Sequence, residues 1–166
     1  SRHFSNFRIR DIKIEDYKEI SKIRKMPGVM ENILSNKDEE EELIKEKIIN
    51  KGKNQYWYVA EENGKVIGLG ILMNHGNLRK KHVGVITLMV NSDYQNKGVG
   101  SLLMDKLINL SESINIIRVE LCVFRDNYKA INLYNKFGFK EEGIKVKSAL
   151  KNGEYIDEVM MARIIL

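Results

Sequence analysis

Apolar and polar residues alternate through FRIRDIK (residues 7 to 13), as in a strand with one covered face. The spacing then becomes helical over residues 15 to 25, where Tyr17, Ile20, Ile23 and Arg24 share a face, until Pro27 and Gly28 break the pattern. DEEEELIKEKIINK (38 to 51) predicts a helix with acids at its N-terminal end and lysines towards its C-terminal end, the polarity the helix dipole favours. QYWYVAEE and KVIGLGILMN flank Asn63-Gly64, the strongest short signal for a hairpin. A polar loop, NHGNLRKK (74 to 81), leads to another strand, HVGVITLMV (82 to 90). Turn formers fill residues 91 to 97, and Val99, Leu102, Leu103, Leu107 and Leu110 then recur with helical period. IIRVELCVF (116 to 124) is strand-like, and Asp126 or Asn127 can cap a helix whose Ala130, Ile131, Tyr134 and Phe137 form one stripe ending at Gly138. The remaining residues predict two strands around Asn152-Gly153, and no internal repeat is visible.

The predicted order is β, α, α, β, β, β, α, β, α, β, β. Hairpins and strand–helix–strand crossovers both occur, so the class is α/β or α+β with a mixed sheet. With 166 residues, 43% apolar content, a single Pro and no Pro/Gly/Ser-rich linker, one domain over 1–166 is expected, with residues 1 to 6 carrying little functional weight. No apolar run approaches the 18 or so residues that cross a bilayer. The lone Cys122 has no internal partner, and SRHFSNFRIR lacks the apolar core of a secretory signal, so a cytoplasmic setting is expected. The net charge of +5 is spread among interleaved acids and bases, which describes a solvated surface better than a nucleic-acid face. His75 and His82 lie at no zinc-ligand spacing, and no metal is expected.

The segment best suited to chemistry is QNKGVGS, residues 95 to 101, between a strand and a helix. The first N–H groups of a helix have no partner inside it and the dipole favours negative charge there, so glycines that let a ligand approach, together with Lys97, suit a phosphate. A Walker loop needs Gly-Lys-Ser/Thr, which is absent, and a dinucleotide fingerprint beginning GVGSLL lacks its third glycine. On its own residues the loop reads equally as an ordinary turn and as an anion site.

VITLMVNSDYQNKGVGSLLMDKLI resembles the central motif of the GNAT superfamily of N-acetyltransferases, [Q/R]-x-x-G-x-[G/A] after a strand, with Gln95, Gly98 and Gly100 at the motif positions. RVELCVFRDNYKAINLYNKFGF is similar to that superfamily's next strand and helix, and the resemblance covers nearly the whole chain. Within it, MPGVMENIL and ALKNGEYIDEVMM look like the bacterial YhhY-type amino-acid or amine acetyltransferases. The resemblance implies a mixed, mostly antiparallel central sheet flanked by helices, with two splayed parallel strands holding acetyl-CoA. It implies that backbone groups of Leu88, Met89 and Val90 pair with the pantetheine, and that N–H groups of Asn96, Lys97, Gly98, Val99, Gly100 and Ser101 hold the pyrophosphate. Gln95 would start the loop and Asn127 would bond the cofactor, although an Asn there is equally explained as a plain helix cap. A homodimer is a further implication.

The implied chemistry is acyl transfer from a thioester to an amine, which must be neutral to attack. Deprotonation at pH 7 costs about 4 to 5 kcal/mol for an alkyl amine and about 1 to 1.5 kcal/mol for an α-amine with a pKa near 8. The resemblance places Tyr134 as the acid beside the departing sulfur, whereas periodicity alone makes it a core tyrosine. Ribosomal-protein acetyltransferases carry a glutamate five residues before the Asn, where this chain has Cys122. Glu120 shares that strand face and is a candidate base, with a cross-strand ion pair as the equal alternative. Cys122 as an acyl carrier is disfavoured, a lone strand cysteine being more often a small buried hydrophobe. The acceptor would meet Glu31, Asn32, Tyr155 and Asp157, each of which can equally be ordinary surface. These readings converge on acetylation of a small amine, an amino acid or a relative. The rivals are protein N-terminal or lysine acetylation, and a CoA-binding sensor without turnover.

Overall fold

The computed structural model describes residues 6–26, 29 and 37–165. Its elements are β1 (Phe7–Asp11), α1 (Tyr17–Arg24), α2 (Lys37–Ile49), β2 (Gln55–Glu62), β3 (Lys65–Asn74), β4 (Val83–Val90), α3 (Val99–Ser113), β5 (Arg118–Phe124), α4 (Tyr128–Lys136), β6 (Lys140–Lys151) and β7 (Glu154–Ile164). This is the order the sequence predicts, with short 3-10 turns at Ile14–Asp16 and Ser92–Tyr94 added. The strands form one sheet in the order β1-β2-β3-β4-β5-β7-β6, in which only β4 and β5 run parallel. A parallel pair needs a crossover, and α3 supplies it. No helix among the described residues is long and apolar enough to cross a membrane.

Alternation decides which face each helix covers. Trp57, Val59, Leu69 and Met89 point to one side and pack on Ile20 and Ile23 of α1 and Ile44 and Ile48 of α2. On the other side Ala60 packs with Val99 and Leu103 of α3. There too Leu72, Ile86, Val119, Leu121 and Val123 meet Met104 and Leu107 of α3 and Tyr134 of α4. The sheet is thus covered on both faces, and the α3 and α4 layer brings the turns at 95–98 and 125–127 to the same end of β4 and β5.

β1 ends at Asp11, two residues short of the predicted strand, because the Asp16 carboxylate collects three donors beyond it. It accepts from the Lys13 N–H at 2.8 Å and from both terminal nitrogens of Arg10 at 2.9 and 2.8 Å. That network turns the chain into α1. β5 begins at Arg118, two residues later than predicted, since the Ile116 N–H is still spent on the Ser111 carbonyl at the end of α3.

Candidate functional site

β4 and β5 pair over only three positions, Val83 with Arg118, Gly84 with Val119 and Val85 with Glu120, and then part. Each continues along its outer neighbour, β4 on β3 and β5 on β7, so the gap between them opens towards their C-terminal ends. A cleft of about 1130 Å³ occupies the gap.

The register fixes which backbone groups face it. The Asn91 N–H bonds to the Ile67 carbonyl, so by antiparallel alternation Met89 and Thr87 direct their N–H and C=O groups to β3 while Leu88 and Val90 direct theirs towards β5. Across the gap, the Arg125 N–H bonds to the Asp157 carbonyl, which commits Val123 and Leu121 to β7 and turns Cys122 and Phe124 inward. The result is two strand edges that face each other across an open slot. Met89 lines the slot, but its backbone belongs to β3 and its side chain is buried beneath α1 and α2.

The turn after β4 closes one end. Asn91 caps the 3-10 turn by accepting from the Asp93 N–H, and Gln95 returns its side-chain amide to the Val90 carbonyl at 3.2 Å, tying the loop to the strand edge. Asn96 and Gly98 have φ values of 63° and 85°, so the backbone reverses twice before α3 begins. Gly98 is the N-cap of α3 and has nothing within 4 Å of where a Cβ would stand, so glycine serves the left-handed conformation and leaves open space in front of the helix. Gly100 is placed tightly instead: a Cβ there would lie 3.1 Å from the Leu133 side chain of α4, which would have to shift by a few tenths of an ångström. The first helical hydrogen bond runs from Leu102 to the Gly98 carbonyl, which leaves the N–H groups of Val99, Gly100 and Ser101 without an intrahelical partner. Gln95, Asn96, Gly98, Val99, Gly100 and Ser101 all line the cleft. Lys97 stands outside its lining, with its Nζ 5.1 Å from the centre of the Tyr94 ring.

Tyr134 reaches the cleft from α4 while packing in the core, with its ring 5.9 Å from that of Phe139. The residue is 8% exposed, and its hydroxyl makes no hydrogen bond to any described residue. Burial alone pushes the phenol up to about 12. Asn127 caps α4 by accepting from the Ala130 N–H at 3.2 Å and lines the cleft as well, so the two expectations for it coexist.

On the sheet face below α1, Glu120 lies at the point where the strands part. Its Oε2 accepts from Arg118 Nε at 2.9 Å and its Oε1 is 3.8 Å from His75 Nε2. Arg118 also bonds both carboxylate oxygens of Glu142, which lowers the Glu142 pKa and raises that of the guanidinium. Cys122 is exposed, not buried as a lone strand cysteine was expected to be: its side chain leaves the sheet on the face opposite the one where Leu121 and Val123 pack on the α3 and α4 layer. Glu158 and Met160, on the β7 stretch paired with β5, complete this floor and were not singled out in the sequence.

Tyr155 and Asp157 lie away from the cleft lining. Tyr155 is 71% exposed. Asp157 accepts from the Lys147 N–H at 2.8 Å and from Arg125 at 3.1 Å, which holds its carboxyl below the usual range and pins a bulge in β6. Glu31 and Asn32 lie outside the described residues.

An extended thioester carrying a diphosphate fits this set: helix N–H groups without an intrahelical partner and with open space before them, a slot edged by strand backbone, and a tyrosine in its lining. Residues 17–139 match the family described as acetyltransferase (GNAT) family. The L-amino acid N-acetyltransferase AaaT of Escherichia coli is 35% identical over 158 residues, 94% of this chain and 96% of that enzyme. A GNAT-family acetyltransferase from Streptococcus pneumoniae superposes with a TM-score of 0.77 at 26% identity, covering 96% of this chain and all of the other. The Salmonella typhimurium protein yncA, solved with its cofactor acetyl-CoA, shares the fold with a TM-score of 0.77 at 18% identity, over 95% of this chain and 93% of its own.

Proposed function

Because the chain belongs to the acetyltransferase (GNAT) family and is an acetyl-CoA-dependent N-acetyltransferase of small amines, we propose that its acceptor is the α-amine of a free amino acid, which attacks directly in a ternary complex. The observation that carries the choice of acceptor is the likeness to an L-amino acid N-acetyltransferase along almost the full length of both chains.

When bound, acetyl-CoA supplies an acetyl group activated as a thioester. The N–H groups of Asn96 to Ser101 hold the diphosphate, with Gln95 keeping their loop on β4 and Lys97 adding positive charge. Leu88 and Val90 offer the strand edge to the pantetheine, Met89 fixes that strand from the core, and Asn127 presents its amide from the facing turn. Tyr134 donates a hydrogen bond from its Oη to the departing sulfur.

Glu120 is the base in this reading, taking the acceptor's proton at a carboxylate oxygen directly or through one water. Its Oε2 is held by Arg118 Nε at 2.9 Å. The partners of Asp157 orient it to β6, so any acceptor role for Asp157 or Tyr155 is confined to the rim, while Glu31 and Asn32 keep the acceptor role that the family resemblance gives them. A cytoplasmic location belongs to the same reading, since an exposed free thiol survives best in a reducing compartment. Release of free CoA measured against the twenty amino acids, polyamines and peptides tests it. Turnover with free amino acids is expected, and turnover restricted to peptides or polyamines would overturn it.

A further inference from the structure

Resting on the proposal that the acceptor is a free amino acid, we infer that Lys145 of β6 binds the acceptor's carboxylate and is the side chain by which the cleft selects α-amino acids over amines without an acid group. Side-chain alternation builds its setting. Leu121, Val123, Val159 and Met161 pack on the α3 and α4 layer, so Cys122, Phe124, Glu158 and Met160 leave the sheet on the opposite face. Residues directly opposed in an antiparallel pair share a face, and the register opposes Phe124 to Glu158 and Glu158 to Lys145. Lys145 therefore stands on the same floor as Glu120, and both line the cleft.

An amino acid arrives with a carboxylate beside its amine, and that charge needs a partner where water is displaced. Among the described residues four cations line the cleft: Arg118, Lys129, Lys136 and Lys145. Arg118 spends its guanidinium on Glu120 and Glu142. Lys129 and Lys136 belong to α4, the helix on the other face of the sheet. The Lys145 ammonium makes no ion pair or hydrogen bond to any described residue, even with Glu158 directly across from it. It is the cation left for a ligand on the floor that carries Glu120.

The spacing suits a small zwitterion. Lys145 lies two strands across and four residues along from Glu120, which puts their Cα atoms about 16 Å apart at strand rise and strand spacing. Two long side chains leaning together over that distance do not meet, but they can hold an amino-acid headgroup between them, its amine towards Glu120 and its carboxylate on Lys145. Cys122 and Met160, paired with each other on the floor between, carry no charge to compete. Glu158, beside Lys145, repels a bare carboxylate and so favours one that brings an ammonium with it.

The test compares steady-state kinetics of the full-length enzyme with those of its Lys145→Ala and Lys145→Arg variants. The acceptors are the L-amino acid that the wild type turns over fastest and the amide of that amino acid, which keeps the α-amine and removes the acid group. Lys145 is exposed and unbonded, so both variants should fold. Lys145→Ala should lower the acid-to-amide ratio of kcat/KM by about tenfold, the worth of one charge-assisted bond, chiefly through KM. Lys145→Arg, which keeps the charge, should restore most of that ratio. Equal losses on acid and amide, or no loss on either, would overturn the inference. Wild-type turnover of free amino acids with a ratio that does not move removes Lys145 alone and leaves the acceptor proposal standing. A wild type that acetylates no free amino acid removes both.

Discussion

Replacing Tyr134 by Phe deletes one oxygen from a buried ring and leaves the ring's packing against Phe139 and the α3 core intact. Because the hydroxyl makes no hydrogen bond to any described residue, its loss breaks none of the described contacts, and stability should change by no more than about 1 kcal/mol in either direction. Tyr134→Ala, by contrast, would open a cavity and cost about 3 to 5 kcal/mol. The catalytic effect follows from the raised phenol. Moving a whole proton from a group near 12 to the thiolate of a thiol near 8.5 is uphill by about 5 kcal/mol, so the hydroxyl acts by hydrogen-bonding to the developing charge. A charge-assisted bond of this kind is worth about 2 to 3 kcal/mol, or on the order of 100-fold in kcat. Steady-state kinetics with acetyl-CoA and the acceptor, paired with calorimetric binding of coenzyme A, check it. The expected result is a kcat lowered by about two powers of ten with donor affinity and thermal stability nearly unchanged. An unchanged kcat would reduce Tyr134 to a packing residue.

The same hydroxyl predicts a pH dependence. Its folded value of about 12 lies above the unfolded 10, so the native state holds the proton longer, and the associated stability is complete below pH 10 and lost as pH rises to 12. That contribution is about 2 to 3 kcal/mol and should be missing from the stability–pH curve of Tyr134→Phe in denaturant titrations. Gly98→Asp places a negative charge against the diphosphate and should weaken coenzyme A by on the order of 3 kcal/mol, about 100-fold in Kd, while Gly98→Asn, equal in shape and tolerant of positive φ, should retain most binding. Glu120→Gln should flatten the acidic limb of the pH–rate profile, and an unchanged limb would remove Glu120 as the base.

Local chemistry made most elements legible. Asn63 and Gly64, with φ values of 50° and 80°, set a turn between two strands whose bounds match the sequence reading residue for residue. The loop motif likewise announced the residues that later line the cleft, since its glycines and unpaired amides are properties of neighbouring residues. What sequence could not carry is the pairing of distant strands. Where β4 and β5 separate depends on how each follows its outer neighbour, β3 or β7, and nothing local in either strand marks that point. The role of Asp157 was hidden for a similar reason. The register shifts at Glu141/Gly143 and Lys145/Ala149 bring the Lys147 N–H onto its carboxylate, and no spacing rule signals a bulge of that kind. Glu158 and Met160 entered the cleft through the same unpredictable register. Arg118 was legible in principle, being two residues from Glu120 on an alternating strand and therefore on its face.

The central claim is that the slot between β4 and β5 holds the acetyl donor by strand edge and helix N-terminus. Backbone amide NMR of the labelled protein titrated with coenzyme A addresses it most directly. Saturable shifts concentrated at Asn96 to Ser101, Leu88, Val90 and Cys122 are the predicted outcome. Binding that leaves those amides unmoved, with shifts gathered elsewhere on the sheet, would contradict it.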